Sequence, residues 1–194
     1  MLILVRHGRT PANAADLLQG RLDQDLDEYG QMQAAAVAQY VRDGCDVDAV
    51  VASPLRRAQQ TAAAFGLPVE IDDRWLELSY GEYEGTPHAD VPSEVWSRWR
   101  EDPHFTPQGG ESLAELDQRV RGACDELLER ANAANVVVVS HVSPMKSAVA
   151  WALGVDIGIS FNCHLDHASV CRIAIRGDRP ILHTFNETAP TPNS

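Results

Sequence analysis

Apolar residues in this chain fall into short runs separated by longer stretches of helical composition. Leu2–Val5 and Val136–Val139 are continuous apolar runs rich in branched side chains, the pattern of strands buried on both faces. A third strand is predicted near Val47–Ala52 and a short fourth over Val69–Asp72, while Ala168–Ile175 and Pro180–Phe185 read as two strands joined at Gly177-Asp178. Between them, Glu28–Val41 is rich in Ala, Gln and Met and has few breakers, which predicts a helix capped by Asp27. Pro54–Phe65 predicts a second helix, with its proline at an early helical position and Gly66 as the stop. A long amphipathic helix follows over Ser112–Ala131, and another over Pro144–Leu153. Trp75–Gly110 breaks the alternation: Gly81, Gly85, Pro87, Pro92, Pro103, Pro107 and Gly109-Gly110 surround one short helix near Ser93–Arg100. Substrate-facing loops have this composition. The tail, with Pro190, Pro192 and Asn193, is expected to fray.

Strands alternating with helices predict an α/β fold, a three-layer α/β/α sandwich around a mainly parallel sheet that the last hairpin makes mixed. The 194 residues, 44% hydrophobic, are enough for one substantial core, so residues 1–194 are expected to form a single domain. No repeat or low-complexity tract interrupts them. The first residues read as a strand rather than a leader, and no apolar run reaches membrane-spanning length, so a soluble, cytoplasmic protein with no membrane association is expected. Cys45, Cys124, Cys163 and Cys171 match neither a zinc motif nor a compact disulfide scaffold; they are expected to be reduced, with Cys124 and Cys171 buried. Oligomeric state has no signature in the sequence.

Loops leaving the carboxyl ends of parallel strands form the ligand crevice of open α/β sheets. Here the first run leads into Arg6-His7-Gly8-Arg9-Thr10, the valine run into Ser140-His141, and Ala49–Ala52 into Ser53-Pro54-Leu55-Arg56-Arg57-Ala58. Two histidines and several arginines on one sheet edge make a site for a dianion. In a chain of net charge -12 this local cationic cluster points to a small phosphorylated partner and away from nucleic acid. Arg56 and Arg57 are adjacent, so a helix turns them in different directions and only one can face the phosphate. Ser53 reads as a helix cap and Ser143 as the cap of the next helix. His88, His104, His164 and His183 lack metal-ligand spacing. Lys146, the only lysine, falls either near the pocket or on a helix surface. Tyr83, Trp96, Trp99 and Phe105 either pack a small core of the irregular segment or contact a sugar or aromatic leaving group.

Taken in order, Arg6-His7-Gly8 with Thr10 and Asn13, Leu26 and Gly30 with Gln33-Ala34, Ser53–Ala58 with Thr61, Glu77 with Gly81 and Glu84-Gly85, Gly109-Gly110-Glu111-Ser112, and Ser140-His141 resemble the histidine phosphatase superfamily over nearly the whole chain. The group includes cofactor-dependent phosphoglycerate mutases and α-ribazole phosphatases. The resemblance implies a phosphoglycerate mutase-like fold and hydrolysis of small phosphorylated metabolites through a phosphohistidine, with no metal and no cofactor. It implies His7 as nucleophile, and Arg6, Gly8, Asn13, Gln19, Gly20, Arg57 and His141 around the phosphate. It also selects Arg57 over Arg56. Glu77 matches the general acid, a role for which Trp75 and Leu76 would supply apolar surroundings, and Glu82 and Glu84 are its rivals. Three positions depart from the family pattern: Arg9 replaces a usual Glu or Gln, Val142-Ser143 replaces a glycine pair, and His167 stands near a usual asparagine. The run His141–Lys146 with His164-Leu165-Asp166 resembles the α-ribazole phosphatase-related branch more than the mutases. Arg21, Arg98 and Arg100 keep mutase-type transfer open, and the same residues would also serve a non-catalytic phosphate-binding module or a phosphoprotein phosphatase.

Overall fold

The computed structural model of the chain describes residues 1–190; the predicted fraying of Pro192 and Asn193 falls outside them. Six strands form one sheet: β1 (Leu2–Arg6), β2 (Ala49–Ala52), β3 (Val69–Ile71), β4 (Val136–Ser140), β5 (Ser169–Arg176) and β6 (Arg179–Thr188), in the spatial order β3-β2-β4-β1-β5-β6. The first four run parallel and the β5–β6 hairpin is antiparallel, so the mixed sheet predicted from the sequence is present.

Helices cover both faces because successive strand residues point to opposite sides. Ile3, Val5, Val50, Ala52, Val137 and Val139 pack under α2 (Glu28–Gly44) and α3 (Arg56–Ala63), numbered after the four-residue α1 (Pro11–Ala14). Leu2, Leu4, Val136 and Val138 face the opposite layer, built from α5 (Leu113–Ala133) and α6 (Val142–Leu153). α4 (Ser93–Glu101) lies in the irregular segment. The predicted Asp27 cap is present, its carboxylate accepting from the Gly30 amide at 2.7 Å, and Ser112 caps α5 reciprocally with Glu115.

Several boundaries differ from the sequence reading. α3 begins at Arg56, two residues beyond Pro54, so the proline precedes the helix instead of opening it. α6 begins at Val142, ahead of Pro144. The irregular segment also holds three 3₁₀ turns, Asp73–Trp75, Gly81–Tyr83 and His88–Asp90, each too short to leave a periodic signature. The four cysteines are free thiols; Cys124 and Cys171 are buried, and burial pushes the Cys171 thiol up to about 11. No helix of the described residues is long and apolar enough to cross a membrane.

The loop after β1 is pressed against the start of α2. A Cβ on Gly8 would stand 2.3 Å from the Gly30 carbonyl oxygen, and one on Gly30 would stand 2.0 Å from the Arg9 carbonyl oxygen. Both positions therefore require glycine for close backbone approach.

Candidate active site

Strand register builds the centre of the site. β1 and β4 pair in parallel with Arg6 opposite Ser140, so the next residue of each strand, His7 and His141, leaves the sheet side by side. The rings lie 5.0 Å apart, about one inter-strand spacing. On the far side of β4, Ala52 pairs with Val139, which brings Ser53 to the same level; its hydroxyl is 2.7 Å from His141 Nε2. Ser53 is thus fully buried in the site and makes no side-chain cap for α3, contrary to the sequence reading. No local pattern reveals this pairing, because it depends on which strands become neighbours.

His7 is 3% exposed and its tautomer is fixed by its partners. Nδ1 donates to the Gly8 carbonyl at 2.7 Å, which leaves Nε2 with its lone pair; the Arg57 Nε–H donates to that lone pair at 3.2 Å. Burial, followed by the charges of Arg57 and Arg6, holds His7 well below the ordinary histidine value. His141 is likewise held well below it, first by burial and then by Arg57. The site therefore has two neutral imidazoles at pH 7.

Arg57 is 1% exposed and fully engaged: besides His7, its Nη1 and Nη2 donate to the carbonyls of Leu22 and Gly20 at 2.8 and 2.7 Å. Gly20 is left-handed, with φ +54, and a Cβ there would stand 2.4 Å from Glu84 Oε1. Arg56 points outward to Asp23 and Asp25, as its place beside Arg57 on the helix requires. Arg6 donates from Nη1 to the Leu165 carbonyl at 2.6 Å. Burial lowers Arg6 and Arg57 to about 10, so both remain cationic at neutral pH.

Around this centre, several buried side-chain nitrogens have no hydrogen-bond partner among the described residues: Arg6 Nε, His141 Nδ1, Gln19 Nε2 and His167 Nε2. Buried polar atoms are normally satisfied, so such a group at the strand ends suits an incoming polyatomic anion. Gln19 uses its oxygen on Thr10 at 3.0 Å, which leaves the amide nitrogen as its donor. Asn13 closes a reciprocal cap with Thr10 through Oδ1, leaving its nitrogen to donate. The start of α6 adds the positive end of a helix dipole beside His141.

Glu77 is 7% exposed, and its Oε1 accepts from the backbone amides of Leu78 at 2.7 Å and Ser143 at 3.2 Å. Oε2 is left as the oxygen able to carry a proton. Ser143 therefore gives its amide to Glu77 and does not cap α6; His141 occupies the cap position. The two rivals are held differently. Glu82 is exposed, and Glu84 is occupied in bracing the loop through the Arg21 amide, the Tyr80 amide and the Ser79 hydroxyl.

Arg9 turns to Asp27 at 2.7 Å and lies over the Tyr29 ring, so its charge is compensated away from His7. His167 reaches the rim: the Ala168 amide donates to the His7 carbonyl, and burial with the Arg6 charge lowers His167 to about 4. Trp99 is the hub of a small aromatic core, packing edge-on against Tyr80 and Tyr83 and tilted against Trp96 and Phe105. Of the two readings, the geometry favours packing for Trp99 and Phe105. Of the other histidines, His104, His164 and His183 are exposed and His88 stacks on Trp96.

Burial of neutral His7, His141 and His167 has a consequence for acid stability. Their folded values lie below the unfolded value of about 6.5, so the unfolded chain binds more protons as pH falls. Stability is expected to rise with pH across this window and to fall between about pH 7.5 and about pH 5.5, before carboxylate titration contributes. Thermal melts in phosphate-free buffer check this, and a midpoint that holds constant or rises toward pH 5.5 contradicts it.

The chain has relatives among known proteins. The chain is 38% identical over 176 residues to the bifunctional protein Rv2228c of Mycobacterium tuberculosis, covering 87% of this chain but 48% of that one, so it spans about half the length of that relative. It is 38% identical over 196 residues to phosphoserine phosphatase 1 of Hydrogenobacter thermophilus, covering 96% and 92% of the two chains. The solved structure of mycobacterial glucosyl-3-phosphoglycerate phosphatase Rv2419c in complex with VO3 superposes with a TM-score of 0.87 at 30% identity, covering 96% of this chain and 99% of that one. The family model of the histidine phosphatase superfamily (branch 1) matches residues 2–188, and the chain belongs to that superfamily.

Proposed function

We propose that the protein is a phosphomonoesterase that hydrolyses small phosphorylated metabolites through a phosphohistidine on His7, without a metal. The observation that carries this reading is the fixed tautomer of His7. An Nε2 lone pair on a buried neutral imidazole, flanked by the buried Arg57 guanidinium and the half-buried Arg6, is a nucleophile beside a place for a phosphoryl group.

In the first step Nε2 of His7 attacks phosphorus and the ester P–O bond breaks. The proton on Glu77 Oε2 passes to the departing alkoxide, so the alcohol leaves neutral. Charge on the equatorial oxygens is met by Arg6, Arg57, His141, Gln19 and Asn13, with Gly8 and Gly20 shaping the loop around them. For His141 this requires a proton on Nδ1, which Ser53 permits by donating its hydroxyl to Nε2. In the second step the Glu77 carboxylate takes a proton from water, the oxygen attacks phosphorus, the P–N bond breaks, and phosphate leaves with His7 neutral again. Arg57 Nε–H, which holds the lone pair in the free site, turns to a phosphoryl oxygen as the P–N bond forms.

Substrates of the relatives, phosphoserine and glucosyl-3-phosphoglycerate, support a small-metabolite ester and guide the choice of test panel. Transfer of the mutase type has less support, because Arg21 is paired with Glu111 and Arg98 is stacked on Phe105. The test is phosphate release from a panel of phosphorylated metabolites with a chelator present. Release that continues in chelator is expected. Isomerisation of 3-phosphoglycerate without release would transfer the assignment to a mutase, and no turnover at all would leave a phosphate-binding module.

A further inference from the structure

Glu77 lies between the 3₁₀ turns Asp73–Trp75 and Gly81–Tyr83, where neither a helix nor a strand fixes its backbone. Its carbonyl is held instead by two guanidinium groups: Arg21 Nε donates to it at 3.2 Å and Arg119 Nη2 at 3.3 Å, which fills the two acceptor places of a carbonyl with charge-assisted bonds. Arg119 reaches it from α5 and also donates from Nη1 to the Arg74 carbonyl at 2.6 Å. Arg21 reaches it from the loop around the phosphate place. The carbonyls on either side of Arg21, those of Gly20 and Leu22, are the ones that take Nη2 and Nη1 of Arg57.

Two cations on one carbonyl repel each other, and Glu111 supplies the anion between them. Its Oε1 accepts from Arg119 Nε at 2.7 Å, and its Oε2 accepts from Arg119 Nη2 at 2.8 Å and from Arg21 Nη2 at 3.0 Å, so a forked pair extends to a second arginine. The Arg119 and Glu111 side chains are 18% and 14% exposed, which leaves solvent little room to screen them. Backbone contacts place Glu111 against the Glu77 segment. Its amide donates to the Ser79 carbonyl at 2.9 Å, and a Cβ on Gly110 would stand 2.7 Å from that same oxygen, so the turn ahead of α5 packs against the segment only with glycine there.

We propose that Glu111 is a positioning residue for the reaction: by holding Arg21 and Arg119 on the Glu77 carbonyl, it fixes the proton donor in place relative to Arg57 and the phosphoryl group. The proposal rests on the phosphatase reading above, with Glu77 as its proton donor. Without the Glu111 charge the two guanidinium groups lose their common anion and part, and the Glu77 backbone is released from the loop that Arg57 holds.

The test measures kcat/KM, which covers the reaction through departure of the alcohol, for p-nitrophenyl phosphate and for the alkyl phosphate that the parent turns over fastest. In Glu111→Gln the alkyl value is expected to fall by roughly ten- to a hundredfold, the effect of slightly misplacing a reacting group, while the nitrophenyl value stays near that of the parent. In a Glu77→Gln background, with no proton left to place, adding Glu111→Gln is expected to change the alkyl value by no more than about twofold. Arg21→Met removes one of the two cations at a more exposed position, so it is expected to repeat the pattern in weaker form, and it carries the test if Glu111→Gln does not fold. Equal losses on the two esters in a folded protein, an unchanged alkyl value, or an undiminished loss in the Glu77→Gln background overturns the proposal while leaving the phosphatase reading intact. No release from any alkyl phosphate by the parent, or an equal loss of kcat/KM on both esters in Glu77→Gln alone, overturns the underlying reading and the proposal with it.

Discussion

Replacing His7 with alanine is expected to lower kcat by at least about four orders of magnitude, because the nucleophile has no stand-in and the remaining donors can only bind. His141 sits 5.0 Å away, but its Nε2 is occupied by Ser53 and cannot substitute. A direct companion measurement is the intermediate itself. Rapid quenching of the parent with labelled substrate should leave label on the protein that is stable to alkali and lost in acid, as an N–P bond requires, and the His7→Ala protein should carry none. The imidazole fills a buried position, so a thermal melt must accompany the assay to separate lost chemistry from lost folding. Retention of activity within about tenfold of the parent in a folded variant would exclude the phosphohistidine route.

The second large effect concerns Glu77, and it is expected to depend on the leaving group. Glu77→Gln keeps an oxygen to accept from Leu78 and Ser143, so the local backbone contacts survive. What it loses is the transferable proton, a loss of about 10²- to 10⁴-fold for an alkyl phosphate. For p-nitrophenyl phosphate, whose phenolate leaves without protonation, the first step is expected to be nearly unaffected, and a burst of nitrophenol should precede slow turnover. An equal loss in the first step on both esters, with no burst of nitrophenol, would show that Glu77 acts by position or charge instead of by proton donation. Glu82→Gln, at an exposed position, is expected to leave both rates unchanged.

The sequence made the scaffold and the two histidines legible because both depend on local pattern. Val136–Val139 and Leu2–Val5 are uninterrupted apolar runs, and residues following such runs emerge at one edge whichever strands are neighbours. The choice of Arg57 over Arg56 was also legible, since adjacent helical residues diverge. Ser53 and Ser143 were misread for a common reason. Serine before a helix has a strong local explanation as a cap, and here tertiary contacts, with His141 in one case and Glu77 in the other, override it. The commitments of Arg57 to the Gly20 and Leu22 carbonyls were likewise invisible, because they join segments some 37 and 35 residues apart through a loop with no periodicity. The aromatic residues of the irregular segment allowed two readings, and only their ring geometry around Trp99 separates them.

Glu77 is gripped by the amide of Ser143, two residues after His141, within the first turn of α6. The proposed proton donor and one proposed phosphate donor therefore ride on the same rigid carriage. The Ser143 amide ties a carboxyl group of the Trp75–Gly110 segment to the helix end that carries the imidazole, while the Leu78 amide holds the same oxygen from within the segment. Alignment between the proposed proton donor and the proposed phosphate donor thus depends on one backbone amide at a helix end as well as on the loop that carries the carboxyl group.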